Sequence, residues 1–137
     1  MTSHPIAPRA LLIRILPAIG WMALIFILSA QSTLPPAPGL TAEARAIVGH
    51  FTVYGVLAGL YWWALGLTGL APGRRMLIAF LGAVTYGLTD ELHQAFVPGR
   101  DASFFDIAVD AIGATTGLVI LRWFLRRGQR SNVRVLA

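Results

Sequence analysis

The sequence predicts an all-α membrane protein, a bundle of four transmembrane helices. Charged residues make up 12% of the 137 residues and apolar residues 56%, whereas a soluble domain usually carries ~25% charged residues. Four apolar runs each approach the ~20 residues that a bilayer-spanning helix needs. They leave only connectors and tails, so we expect one domain over residues 1–137. The chain has no cysteine, which excludes a disulfide scaffold or a cysteine metal site.

The first predicted span covers residues 11–30. Arg14 and Pro17 near its start are tolerated at a membrane surface, where an arginine can extend to the headgroups. A secretory signal peptide is the alternative, because Arg9 precedes the apolar run. The run is longer than the ~7 to 15 residues of a signal-peptide core, and Leu28 lies where a cleavage site needs a small residue. We therefore expect a retained helix.

The second predicted span covers residues 46–70, after a proline-rich loop at 32–41. It contains Gly55 and Gly59 at GxxxG spacing, which allows helix backbones to approach closely in lipid. A proline, a glycine and two arginines follow it within residues 71–75, and these residues are expected to form the next turn.

The third span is predicted at residues 76–94, and Pro98 and Gly99 follow it. The fourth is predicted at 104–124, with Gly113 and Gly117 again four residues apart. A basic tail, residues 125–137, completes the chain. The two glycine pairs could serve packing within one chain or between two chains, so the oligomeric state stays open.

The distribution of arginines predicts the orientation of the bundle. Placing both termini in the cytoplasm puts every arginine except Arg45 and Arg100 on the inner side, as the positive-inside rule requires. We therefore expect a multi-pass membrane protein with both termini in the cytoplasm. The net charge of +5 is explained by this topology and by contact with anionic membrane lipids, so no nucleic-acid partner is expected.

With this topology, the polar residues gather near the outer ends of the helices, whereas the inner half of the bundle is apolar. Residues three and four apart share a helix face, so the third and fourth spans each carry a polar stripe. We predict an outward-facing pocket that binds a substrate or ligand. Its expected lining residues are His50, Tyr54, Tyr86, Asp90, Glu91, His93, Gln94, Arg100, Ser103, Asp106 and Asp110.

The acidic residues differ in how readily a structural role explains them. Asp106 fits an N-terminal helix cap as well as a functional role. Asp110 lies roughly 9 to 12 Å along the helix, where an ionisable group indicates function. Asp90 and Glu91 lie near a helix C-terminus, where the dipole repels negative charge. Either a functional partner or an ion pair with Arg100 must stabilise them.

Three of the remaining residues also have ordinary interpretations. His50 could be a histidine at a wet membrane boundary, although near a helix N-terminus it should tend to be neutral and available as a base or ligand. Tyr54 and Tyr86 could belong to the aromatic belt at the membrane interface.

The run YGLTDELHQAFVPGR at residues 86–100 carries a family resemblance, together with Ser103, Asp106, Asp110 and the glycines that follow. With His50, Tyr54 and residues 29–32, it closely resembles the signature of the VanZ-like membrane protein family over about residues 20–120. The resemblance implies a small multi-pass protein of the bacterial cytoplasmic (inner) membrane, in a family of which some members are linked to low-level teicoplanin resistance.

The resemblance also implies site positions and shows one departure. The family's signature positions fall on His50, Tyr54, Asp90, Glu91, Gln94, Pro98, Gly99, Arg100, Ser103, Asp106 and Asp110. Many relatives have an Asp-Lys pair where this chain has Ala46 and Ile47. Either Arg45 replaces the lysine charge or this half of the site differs.

Three functions follow as hypotheses. The first is recognition or protection of a cell-envelope component, such as a lipid-linked cell-wall precursor or a glycopeptide, with Arg100 binding a phosphate or carboxylate. The second is a membrane enzyme for phosphoryl or acyl transfer or hydrolysis on a lipid-linked substrate. In it, His50 or His93 acts as base and the acids hold a divalent cation. The third is an ion- or proton-coupled carrier, for which the apolar inner half offers no exit path. The spacing identifies neither a catalytic residue, nor a metal, nor a cofactor.

Overall fold

The computed structural model describes residues 8–33 and 36–135, and the side chains of 9–33 and 36–128. The chain forms four α-helices: α1 (Pro8–Ser29), α2 (Ala42–Ala64), α3 (Pro72–Gln94) and α4 (Phe104–Val135). A short 3-10 helix, Leu65–Leu67, extends α2. The described ranges contain no strand, so the predicted all-α class with four helices is confirmed.

Three of the four helices are long and apolar enough to cross a membrane: Arg9–Ser29, Ala42–Leu67 and Phe104–Gly128. The chain is therefore a membrane protein. The helix α3 has 23 residues, which gives a length of about 34 Å against a hydrocarbon core of ~30 Å. Its ends carry arginines and acids, however, so a fourth span stays a prediction.

Local sequence explains where the helices begin and end. The helix α2 begins four residues before the predicted span because the Thr41 hydroxyl caps it, accepting a hydrogen bond from the Ala44 amide at 3.1 Å. Its helical extension ends before Gly69, whose φ of +68° suits glycine. The helix α3 begins at Pro72, which fits the first helical position. The helix α4 continues through residues 125–135, which we had predicted as a tail.

The helix α2 packs against the other three helices, and it packs closest against α4. A Cβ atom on Gly113 would collide with the Phe51 backbone, and one on Gly117 would collide with the Gly55 backbone. A Cβ atom on Gly55 would lie 3.0 Å from the Gly113 carbonyl oxygen. These glycines therefore serve packing within the chain, as small residues do between membrane helices.

Polar side chains fasten α1 to α2 and α3. The Trp21 indole N–H donates to the Val53 carbonyl at 2.9 Å, and the Tyr86 hydroxyl donates to the Met22 carbonyl at 2.7 Å. Small side chains such as Ala58, Ala79 and Ala83 fill the core between the helices. Large apolar side chains instead point outward along α1 and α4, as lipid contact requires.

Two arginines close one end of the bundle, where α2 finishes and α3 begins. Arg14 Nη1 donates to the Trp63 carbonyl at 2.9 Å, and Arg75 Nη2 donates to the Trp62 carbonyl at 2.6 Å. Each guanidinium also lies over the ring of the same tryptophan, at 5.0 and 3.7 Å. Cations are favoured at a helix C-terminus. We refer to these four residues as the arginine end.

Candidate functional site

A buried cluster of acids and one histidine lies at the opposite end of the bundle. Asp110 is 1% exposed, Asp90 and Glu91 are each 4% exposed, and His50 is 9% exposed. They come from the first half of α2, the last turns of α3 and the first half of α4. Because successive helices run in opposite directions, these segments meet at one end. We refer to these four residues as the acid end.

The imidazole of His50 is the centre of this cluster. Its Nδ1 atom lies 2.9 Å from Asp110 Oδ1 and 3.9 Å from Glu91 Oε1. Two glycines allow this approach. Gly113, one turn after Asp110, packs on the backbone next to His50, and a Cβ atom on Gly87 would lie 2.7 Å from Asp110 Oδ2.

The two acids of α3 have partners other than Arg100. Gln94 Nε2 donates to Asp90 Oδ2 at 3.0 Å, and the Ser103 amide donates to Glu91 Oε2 at 2.8 Å. Glu91 thus accepts a hydrogen bond from the residue preceding α4, where a helix N-terminus favours negative charge. Among the described residues, Arg100 forms no ion pair with either acid. The structure therefore does not show the ion pair that we considered for these acids.

Four oxygen atoms in this region are buried and have no hydrogen-bond partner within the described part of the chain. They are Tyr54 Oη, Asp90 Oδ1, Glu91 Oε1 and Asp110 Oδ2. Buried polar atoms in proteins are paired in roughly 90% of cases or more. Such a group of unsatisfied acceptors in one region is typical of a site that is completed by a bound group.

A cavity of about 140 Å³ adjoins the acid end. Its polar lining comes from α1, α2, α3 and the connection before α4; apolar residues of α1 and α2 form the remaining wall. Arg100 borders the cavity, and its Nε atom is buried without a hydrogen-bond partner. The polar lining residues are Ser29, His50, Tyr54, Asp90, Gln94 and Arg100.

A larger cavity, of about 650 Å³, lies along α2 and α4. Apolar side chains, glycines and two threonines line it, with no titratable residue among them. It is a surface groove suited to lipid chains, and its lining provides no ionisable side chain for catalysis or ion binding. The smaller cavity therefore defines the candidate site.

The remaining predicted site residues lie around this centre rather than in it. His93 faces α1, where its ring stacks on Phe26 at a centroid distance of 4.4 Å and its Nδ1 lies 3.4 Å from Ser29 Oγ. The Tyr86 hydroxyl donates a hydrogen bond to the Met22 carbonyl of α1. Asp106 lies in the first turn of α4, half-buried. The Ser103 hydroxyl accepts from the Phe105 amide at 3.1 Å, as a helix cap does.

Three residues that we did not predict as site residues contribute to this region. Ser29 is 3% exposed and lines the cavity. Gly49 lines the cavity beside His50, and Gly87 makes room for Asp110. A glycine inside a helix one turn before an acid is a signal of close backbone approach. Ala46, at the position where the resemblance implies an aspartate, also lines the cavity.

The fold and the site define the class of the protein: a small helical membrane protein with a buried acid and histidine cluster at one end of its bundle. The chain belongs to the VanZ/LLP1 family, whose model matches residues 14–125. The match covers α2 and α3 and most of α1 and α4, and it confirms the family resemblance of the sequence. The searches of curated proteins and of solved structures give no match.

Proposed function

We propose that this protein recognises a cell-envelope component at the outer face of the bacterial inner membrane, through the cavity at the acid end. The observation that carries the proposal is the lining of this cavity. Arg100, a guanidinium without an ion-pair partner among the described residues, lies on the same cavity as the acceptors Asp90 and Tyr54. Arg100 suits a phosphate or carboxylate, whereas the acceptors suit hydroxyl or amine groups.

The proposed orientation supports this location. The arginines other than Arg45 and Arg100 favour the cytoplasmic side under the positive-inside rule. Because Arg14 and Arg75 belong to the arginine end, this rule directs the acid end and its cavity toward the envelope. Both chain termini then lie in the cytoplasm.

The size of the cavity limits what it can hold. Sites for drug-sized ligands usually measure ~300 to 1,000 Å³, so about 140 Å³ accommodates one small polar group. Ile25 and Leu28 form part of the wall and come from a helix that presents apolar side chains to lipid. This combination suits the polar head of an amphiphile, such as a lipid-linked cell-wall precursor, or one group of a glycopeptide such as teicoplanin.

Antibiotic susceptibility in a bacterial strain lacking the gene tests the proposal. Complementation with wild type should raise the teicoplanin concentration needed to inhibit growth, and Arg100→Ala should abolish the increase. Arg100→Lys should retain only part of it, because lysine keeps the charge but not the two-pronged hydrogen bonding. All variants are compared at equal membrane abundance.

The matched control is Arg74→Ala, an exposed arginine outside the acid end. It should behave as wild type. Removing Arg100 from the outer side strengthens the positive-inside bias, so an altered topology cannot explain its effect. Equal susceptibility of wild type and Arg100→Ala cells would contradict the proposal.

A second candidate function is supported by one contact. The hydrogen bond between His50 and Asp110 fixes an imidazole beside the cavity, which is how carboxylates orient a histidine base. A membrane enzyme that hydrolyses or transfers a phosphoryl or acyl group of a lipid-linked substrate would use this pair. Mass spectrometry of a lipid-linked cell-wall precursor incubated with purified protein tests it. Turnover that His50→Asn abolishes would favour the enzyme.

A further inference from the structure

We propose that His50, Glu91 and Asp110 bind one divalent transition-metal cation, with Zn²⁺ as the first choice and Mn²⁺ as the second. Each residue offers one ligand atom, and these three atoms lie within 4.8 Å of one another. This inference does not depend on which envelope component the cavity recognises. It concerns the cluster behind the cavity. Of the three proposed metal ligands, only His50 also lines the cavity.

The separations fit one central ion. Ligand atoms about 2.1 Å from a tetrahedral Zn²⁺ lie about 3.4 Å from one another. The distances from His50 Nδ1 to Asp110 Oδ1 and Glu91 Oε1 are 2.9 and 3.9 Å. The first is somewhat shorter than this ideal separation and the second somewhat longer. All three ligand atoms lie within 4.8 Å of one another, so rotation of the two carboxylates is the adjustment that coordination of one ion requires.

The unsatisfied oxygens provide an independent reason. Glu91 Oε1, which lies 3.9 Å from His50 Nδ1, is buried and has no hydrogen-bond partner among the described residues, and Asp110 Oδ2 is likewise buried without one. Both side chains are more than nine-tenths buried. Carboxylates at such a position are costly unless they are paired, hydrated, protonated or bound to a cation. A divalent cation supplies the two positive charges that two carboxylates require.

The surroundings of the cluster also suit a metal. A carboxylate that binds a metal is usually also hydrogen-bonded by a neighbouring group, and Glu91 Oε2 accepts such a hydrogen bond from the Ser103 amide at 2.8 Å. One imidazole with two carboxylates is a mixed nitrogen and oxygen set, which favours Zn²⁺ or Mn²⁺ over Ca²⁺ or Mg²⁺. Three protein ligands leave at least one coordination position for water or a bound group.

Zinc binding to the full-length protein in detergent tests the inference. After removal of metal with a chelator, wild type should bind one Zn²⁺ per chain in calorimetry and in elemental analysis. Glu91→Gln and Asp110→Asn should each weaken binding by at least about 100-fold, with circular dichroism confirming that the helices are retained. The exposed acids Glu43 and Asp101 provide controls, because Glu43→Gln and Asp101→Asn should bind as wild type.

A selectivity change separates a ligand from a residue that only supports the fold. An aspartate oxygen can occupy the position of histidine Nδ1, so His50→Asp should keep one cation site and shift its preference from Zn²⁺ toward Mn²⁺. If a variant does not fold, the visible spectrum of Co²⁺ bound to wild type reports the ligand set directly. The inference is overturned if wild type binds no stoichiometric Zn²⁺ or Mn²⁺, or if the cluster variants bind as tightly as the controls.

Discussion

The charged side chains at the two ends of the bundle differ in their burial and in their hydrogen-bond partners. At the arginine end, Arg14 and Arg75 each donate to a backbone carbonyl of α2 and lie over a tryptophan ring. Arg75 Nε is buried without a hydrogen-bond partner among the described residues, but the same guanidinium is held by its Nη2 atom. At the acid end, Asp90, Glu91 and Asp110 are more deeply buried, yet each has one oxygen without a hydrogen-bond partner in the described part of the chain.

This difference distinguishes charged groups that stabilise the fold from charged groups that serve function. A guanidinium whose donors reach helix carbonyls stabilises the protein by itself. A buried carboxylate oxygen without a donor costs free energy, and proteins retain such costs where function requires them. We therefore expect substitutions at the arginine end to lower stability and substitutions at the acid end to alter function.

The largest effect is expected from Gly113→Ala. Its new methyl group meets the rigid backbone of Phe51, so α4 must move away from α2. Overpacking of this kind costs about 2 to 3 kcal/mol. The displacement also separates His50 from Asp110, so zinc affinity should fall together with the melting temperature in detergent.

Gly59→Ala is the control for this prediction. Gly59 belongs to the GxxxG pair of α2, but a Cβ atom there meets nothing within 4 Å. Its replacement should be neutral or stabilising by up to about 1 kcal/mol, because alanine favours helix. Equal effects of the two substitutions would show that the close contact of α2 and α4 does not position the acid end.

Arg75→Ala should have the next largest effect. It removes a charge-assisted hydrogen bond to Trp62 and a cation–π contact, which together stabilise by about 2 kcal/mol. Chemical denaturation in detergent should show this loss, whereas zinc affinity should stay within about twofold of wild type. A large loss of zinc binding with unchanged stability would reverse the roles assigned to the two ends.

Two tyrosines permit a smaller, matched comparison. Tyr86→Phe removes the hydrogen bond to the Met22 carbonyl and should cost about 1 kcal/mol. Tyr54→Phe removes a buried hydroxyl that lies beside Asp90 but forms no hydrogen bond of good geometry among the described residues, so its cost in stability should be smaller. Thermal unfolding of the two variants in the same detergent measures the difference. Equal losses would mean that the Tyr54 hydroxyl is structurally engaged.

Glu91→Gln should have the smallest effect on stability. The amide oxygen of glutamine can still accept from the Ser103 amide, while one buried negative charge disappears. In metal-free protein, the melting temperature should stay unchanged or rise slightly, because relief of the cost of burying the charge offsets the loss of its 3.9 Å contact with His50. A loss above about 2 kcal/mol would indicate that Glu91 stabilises the fold as a charged group.

The sequence was sufficient to predict the helical class, the number and order of helices, and the family. It also led to the grouping of His50, Glu91 and Asp110 in the list of candidate site residues, because alternating helices bring their polar ends together. Local signals explain the helix ends better than hydropathy does. Pro72 begins α3 before its apolar run starts, and the arginine-rich segment after residue 124 continues α4 because arginine favours helix.

The contacts of individual side chains could not be predicted in this way. Residues 86, 90 and 93 share one stripe by spacing, yet Tyr86 and His93 contact α1 whereas Asp90 lines the cavity. Helical spacing gives a direction around one helix but not which neighbouring helix lies in that direction. The same limit explains why an ion pair between Arg100 and the acids of α3 could be considered from sequence.

The position of the acid end relative to the membrane is the central claim of this account, and cysteine labelling tests it directly. The chain has no cysteine, so Asp101→Cys and Arg74→Cys each introduce a unique thiol at an exposed position on opposite ends of the bundle. A membrane-impermeant thiol reagent added to intact cells should label Asp101→Cys, and it should label Arg74→Cys only after the membrane is permeabilised. Labelling of Arg74→Cys but not Asp101→Cys in intact cells would place the cavity in the cytoplasm and contradict recognition of an envelope component.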